Sequence, residues 1–311
     1  MHAPRRLTIA TRKLAPAMWQ AEQIRTRLAA LYPGSAIGVL GVPAPGDRES
    51  GKTASESGER KAMIRDLEAA MADGRADLAV HSLKNLPADI AAGFTIAGIT
   101  AREDPRDAFV SQRFTSLADM PAGAVLGTSG VRREAQLRER FPSLTVKLVR
   151  GDIEARLRLL DAGVCDALII AASALKRSGH ASRITSLLEP DESLPAPGQG
   201  ALAIECRSDR PDLVAALAPL ADRATTLATT AERAFSRMLC GTGTAPVAAY
   251  AEWEEGALWL RGLIAGPGNG CVLRGERDAA VDDVQGAEAL GRGLADEFLA
   301  RGAGKLLSQV R

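Results

Sequence analysis

"AVLGTSGVRREAQLRERF", residues 124–141, decides the fold class. A short apolar run enters a Gly-Thr-Ser-Gly turn, and a charged amphipathic segment leaves it. That is a strand, a tight turn and a helix. The unit recurs downstream, where "LTVKLV" leads into "DIEARLRLLDAG" and "DALIIAAS" leads into a further helix. Upstream, the strands "RLTIAT" (6–11), "SAIGVLGV" (35–42), "ADLAVHSL" (76–83) and "FTIAGIT" (94–100) are joined by helices over 16–32 and from about 60 to 72. Such alternation predicts α/β lobes with parallel sheets. Beyond residue 221 the pattern changes. A helix, "TLATTAERAFSRML", precedes "VAAYAEWE", "ALWLRGLIAG" and "CVLRGERD", which are separated by the turn formers "EG" and "GPGNG" and followed by a helix around 286–300. This predicts a small α+β domain on an antiparallel meander.

Composition narrows the function. The 311 residues are 46% hydrophobic and 25% charged, with net charge +1, so nothing global directs the chain to nucleic acid or to a membrane. No run approaches the ~18 apolar residues of a membrane helix, and "MHAPRRLTIATRK" has no apolar export region. A cytoplasmic monomer acting on a small molecule is expected. Cys165, Cys206, Cys240 and Cys271 are scattered, with no C-x-x-C, so neither a metal nor a disulfide framework is expected. Of the 39 basic residues only seven are lysine. A GC-rich genome explains that excess of arginine, and so does recognition of carboxylates by guanidinium forks.

Placement separates the two. "GTSGVRRE" (127–134) puts Ser129, Arg132 and Arg133 at a strand–helix junction, where free N–H groups meet an anion. "VRGDIEARL" (149–157) puts Arg150 and Arg156 at a second, and Lys176 and Arg177 end a third unit. "HSLKNLP" (81–87) projects Lys84 and Asn85 from the end of another strand, with His81 read as a hydrogen-bonded structural residue. An α/β sheet binds ligands at the carboxyl ends of its strands, so the expected ligand is a small polycarboxylate. "LPAPGQGALAIE" (194–205) reads as a crossover and hinge. The polar stretch 46–60 reads as mobile, its action as a lid left open. Cys240, in "MLCGTGTAPVAAY" (238–250), reads locally as the close of a helix before Gly241.

These stretches, with "IATRK…MWQA", "REDPRDAFVS", "SLPAPGQGALAIECR" and "TAERAF", resemble the porphobilinogen deaminase (hydroxymethylbilane synthase) family nearly end to end. The resemblance implies an α/β protein of three domains. Two resemble type II periplasmic-binding-protein lobes, at 1–100 plus 200–220 and at 101–199; a small α+β domain covers 221–311. It implies a transferase in which a dipyrromethane cofactor hangs by a thioether from a loop cysteine. A cleft aspartate offsets the azafulvene cation formed as porphobilinogen loses ammonia, and successive pyrroles add by carbon–carbon bonds. Arg12, Arg132, Arg133, Arg150, Arg156, Arg177 and Lys84 match the family's carboxylate-binding set.

The departures gather at the reacting centre. H-S-x-K-D-x-P appears as "HSLKNLP", with Asn85 for the aspartate; G-G-C-x-x-P appears as "GTGTAP", with Gly243 at the thiol position and Cys240 three residues early. Leu14 replaces a serine, Ala44 a threonine, Arg60 a lysine and Met63 a phenylalanine of the family pattern, while Asp47 is kept. The first expectation is therefore a specialised paralogue needing no cofactor. It would act on a carboxylated, pyrrole-like substrate by loss of ammonia or water and bond formation, with Lys84 and Asn85 orienting the substrate and Asp47 the remaining acid. Two alternatives stand beside it: a genuine hydroxymethylbilane synthase anchored through Cys240, and a two-lobed binding protein without catalysis.

Overall fold

The computed structural model describes residues 5–43, 56–239, 246–266 and 272–308, and of 56–61 only the backbone. The chain forms two compact units, each discontinuous: 1–102 with 201–226, and 103–200 with 227–311.

The first unit is a five-stranded sheet. Its elements are β1 (Arg6–Arg12), α1 (Ala15–Leu31), β2 (Ala36–Val42), α2 (Glu56–Ala72), β3 (Leu78–Ser82) and β4 (Phe94–Ile99). The returning chain adds β10 (Leu202–Arg207) and α6 (Pro211–Leu217). The strand order is β2-β1-β3-β10-β4. β1 runs parallel to β2 and β3, but β10 is antiparallel to both its neighbours. One face buries Leu7, Ile9, Leu78, Val80, Leu202 and Ile204 against α1 and α6. The opposite face carries small residues, Ala10, Ala79 and Ala203, beneath Leu67, Met71 and Ile64 of α2.

The second unit holds two sheets. β5 (Asp107–Ser111), β6 (Val125–Thr128), α3 (Val131–Arg140), β7 (Thr145–Leu148), α4 (Ile153–Asp161), β8 (Ala167–Ala171), α5 (Ala172–Arg177) and β9 (Ser186–Leu188) give the order β7-β6-β8-β5-β9. Here β6, β7 and β8 are parallel and β5 is antiparallel to β8 and β9. The expectation of parallel sheets in the lobes is thus corrected to mixed sheets. In each sheet one strand is threaded in reverse, because the chain crosses from one unit to the other beside it.

The other sheet is the antiparallel meander β11 (Val247–Glu254), β12 (Ala257–Ala265) and β13 (Val272–Ala279). It packs on α7 (Arg223–Leu239) and α8 (Val284–Ala300), with α9 (Ala303–Ser308) closing the cluster. Phe235 and Phe298 meet edge to face, centroids 5.0 Å apart. Within this unit the meander joins the α/β sheet through Ala135, Leu194, Ala248 and Leu263. Glu232, fully buried, accepts from Gly198 N at 2.7 Å and Ala251 N at 2.9 Å.

Candidate functional site

The first unit contains a cavity of about 160 Å³ at the carboxyl ends of β1 and β3. Its polar wall is Arg12, Gln20, His81, Ser82 and Asn85, and its apolar wall includes Leu14, Met63 and Leu67. Pro16, in the first turn of α1, has the φ that turn needs, and Gln20 Nε2 then donates to Ser82 Oγ at 3.0 Å. A single turn over residues 83–85 follows β3 and carries Lys84 and Asn85. Leu83 of that turn is fully buried, so it pins the turn while exposed Asn85 borders the cavity. Three departures from the family pattern, Leu14, Met63 and Asn85, therefore border one space. One formal cation, Arg12, lines it, and no carboxylate does among the described residues.

The arginines of the second unit divide into two kinds. Arg132 and Arg133, in the first turn of α3, are both buried. Arg132 Nη2 donates to Asp107 Oδ2 at 2.7 Å and Arg133 Nε to Asp107 Oδ1 at 2.9 Å. Ser193 Oγ and Gln199 Nε2 complete the shell at 2.8 and 2.9 Å. Burial alone would raise the fully enclosed Asp107 carboxyl; the two guanidinium groups overcome that and hold it well below the usual carboxylate range. Arg177 is likewise held, by Glu103 at 3.1 Å and by the Gly200 carbonyl. Arg132, Arg133 and Arg177 are thus each tied to a carboxylate of their own unit, and sequence reasoning missed Asp107, the buried acid that ties two of them. Its signal was an aspartate opening an apolar run, in "DAFVS".

Arg150 and Arg156 are the second kind. Gly151, at φ 105°, turns the chain, and Asp152 caps α4 by accepting from Ala155 N at 2.7 Å. That turn leaves Arg150 exposed and brings Arg156 Nη1 to Ser129 Oγ at 2.8 Å. Ser129 lies beside the start of α3, whose N-terminus takes no side-chain cap. A half-buried guanidinium, a hydroxyl and a helix start without a side-chain cap are donors of the kind that suit a carboxylate. Asp47, Cys240 and Gly243 lie outside the described residues.

The fold defines a class: an α/β protein of two compact units, each built on a five-stranded mixed sheet, the second also carrying an antiparallel meander. The family model "Porphobilinogen deaminase, dipyromethane cofactor binding domain" matches residues 7–215, and the C-terminal domain model of the same family matches 226–300. Porphobilinogen deaminases of Laribacter hongkongensis and Chromobacterium violaceum are each 49% identical to the chain. The first match covers 99% of both chains and the second 98% of both. That of Paraburkholderia phytofirmans is 50% identical over 96% of this chain and 88% of its own. The chain belongs to the porphobilinogen deaminase family, a family of transferase-type enzymes. Among solved structures, one match is an ABC-transporter periplasmic substrate-binding protein from Coxiella burnetii. It has a TM-score of 0.44 at 15% identity, covering 70% of this chain and 93% of that one. Another is the BvgS periplasmic VFT2 domain of Bordetella pertussis, with a TM-score of 0.39 at 17% identity, covering 69% and 86%.

One expectation is overturned by these findings. The domain model matched over most of the first two lobes is defined by binding dipyrromethane, so the expectation that no cofactor is used does not stand.

Proposed function

We propose that this protein is a hydroxymethylbilane synthase. It would join porphobilinogen units into a linear tetrapyrrole on a dipyrromethane primer, with release of ammonia. The match to both family models over nearly the whole chain is the observation that carries this reading. The donor set supports it. The uncapped start of α3 with Ser129, Arg150 and Arg156 suits pyrrole carboxylates, and Arg12 and Lys84 offer cations at the strand ends of the first lobe.

The primer, when bound, supplies the pyrrole carbon to which new rings add. The chain's own residues hold its carboxylates and shape the wall around the incoming ring. Cys165 and Cys206 are ill suited as anchors. Both are buried, and burial followed by the Glu205 charge pushes the Cys206 thiol up to about 11. We assign the thioether to Cys240, the thiol nearest in sequence to Gly243.

The three-domain division, with 101–199 and 221–311 counted separately, belongs to this reading. So does the action of the molecule as a cytoplasmic monomer. The amide of Asn85 favours a second reading, in which the chain binds the pyrrole primer without extending it.

Intact mass and turnover decide between them. The first reading expects a chain heavier than its sequence by one dipyrromethane, unmodified in Cys240→Ala, that consumes porphobilinogen. Added mass without consumption selects the second. An unmodified native chain overturns both. Arg156→Glu is expected to prevent loading of the primer while leaving the fold intact.

A further inference from the structure

We infer that His81 is the proton acceptor of the first unit's cavity and that Glu205 is the residue that positions it; the chemistry of this assignment rests on the pyrrole-joining activity proposed above. Glu205 is 0% exposed and His81 7%. In the antiparallel pairing of β3 and β10, Ala203 faces His81 and Glu205 faces Ala79, so Glu205 sits one diagonal step from His81 on the same face. The pairing of β10 with β4 shifts register between Ile204 and Glu205, the kind of irregularity that re-aims a side chain. Glu205 Oε2 lies 2.8 Å from His81 Nε2. Its other oxygen, Oε1, is buried with no hydrogen-bond partner among the described residues. A buried carboxylate with one oxygen unsatisfied is costly in a protein interior. Its hydrogen bond to His81 is directed at a cavity wall.

The consequence follows from donor chemistry. A carboxylate only accepts, so Nε2 carries the hydrogen, and in the neutral ring Nδ1 keeps its lone pair. Nδ1 makes no hydrogen bond among the described residues, and His81 lines the cavity beside Arg12, Ser82 and Asn85. Asn85 has no basic lone pair. Other ionisable groups around the imidazole are Glu68 of α2 with Arg65 beside it, Arg12 at the end of β1, and Lys84 in the turn after β3. Burial, then the Glu205 charge, raises the Glu68 carboxyl. Glu205 is the carboxylate within hydrogen-bond distance of the ring among the described residues.

The step balances as follows. A substrate entering with its aminomethyl group as ammonium loses NH3 when the carbon–nitrogen bond breaks, which leaves a cation. When the attacking pyrrole carbon forms the new carbon–carbon bond, it still carries its hydrogen and its ring is cationic. Nδ1 takes that proton, and the C–H electron pair returns to the ring. The imidazolium, paired with Glu205, then passes the proton to the released ammonia.

Two measurements on the full chain test this. A long-range 1H–15N spectrum, in which His81 is one of three histidines, should show the Nε2–H tautomer in the native protein and its loss in Glu205→Gln. An Nδ1–H tautomer in the native protein overturns the assignment. His81→Gln should lower kcat about 10²-fold with KM within about twofold, and Glu205→Gln should lower kcat in the same direction. A kcat unchanged in His81→Gln overturns it, since a purely structural pair would alter stability and not turnover. If Glu205→Gln does not fold, the native spectrum and His81→Gln decide. If the loaded native chain consumes no porphobilinogen, the proposed activity has failed and the proton-transfer step with it; the tautomer still decides whether Glu205 positions His81.

Discussion

Asn85 borders a cavity walled by one guanidinium and by no carboxylate among the described residues, and that sets what chemistry is easy there. A cation forming in such a space faces no carboxylate among the described residues, and an amide oxygen supplies only a dipole. Preorganised charge at a developing ion is worth about 10²–10³ in rate. Asn85→Asp in the loaded protein should therefore raise kcat for porphobilinogen consumption by at least about 10². An unchanged kcat would show that the charge already comes from elsewhere. Asp107 is the opposite case, a carboxylate that touches two guanidinium groups and no open space. Asp107→Asn leaves two buried cations short of a counter-charge, which should cost about 3–5 kcal/mol in denaturant unfolding. Its folded pKa is depressed, so the stability it contributes is present above the ordinary carboxylate range. That stability is lost only as pH falls through the much lower folded value. Native stability from this group should thus be level from about pH 5 to 8. The sequence marked Arg132 and Arg133 because arginines at a strand–helix junction are conspicuous. It could not reveal that Asp107, some 25 residues away, holds both, because that pairing exists only after β5 is laid beside β8.

At the scale of elements, most of the lobes was legible because strand–turn–helix units carry their signal locally. α3, α4 and β11 to β13 fall where periodicity and turn residues put them. What escaped were β5, three-residue β9, seven-residue α6 and six-residue α9. β5 follows "REDPR", whose proline and charges read as loop, and it is a strand because two neighbours complete its hydrogen bonds. Reversal of β5 and β10 was equally hidden, since direction is a property of the sheet and not of the strand. β12 gives the sharpest element-level test. A Cβ at Gly262 would lie 2.6 Å from Phe235 Cζ and 2.9 Å from its Cε2, and Phe235 is itself fully buried against Phe298. The ring cannot retreat without opening the contact of α7 with α8. Gly262→Ala should therefore destabilise by about 1–3 kcal/mol, read as a lower midpoint in urea; a neutral result would mean that α7 slides on the sheet.

At the scale of the whole molecule, the C-terminal meander belongs to the same compact unit as residues 103–200, although the sequence reads it as a separate domain. The reason is polar as much as apolar. Glu232 of α7 reaches Gly198 N in the crossover segment and Ala251 N in β11 at once. The Ala249 N–H donates to the Pro195 carbonyl at 3.1 Å. Arg274 donates two parallel hydrogen bonds to the Glu139 carboxylate, each 2.6 Å, but both side chains are exposed and contribute little. The buried carboxylate is the stronger tie. Glu232→Ala would strand two buried N–H groups, each costing about 1–3 kcal/mol. If the crossover couples the two sheets, hydrogen-exchange protection should fall together in β11–β13 and in β5–β9, while β1–β3 of the other unit keep theirs. Loss confined to β11–β13 would mean that the meander opens alone. The crossover would then be a passive linker, and the grouping of 103–200 with 227–311 would reflect proximity without energetic coupling.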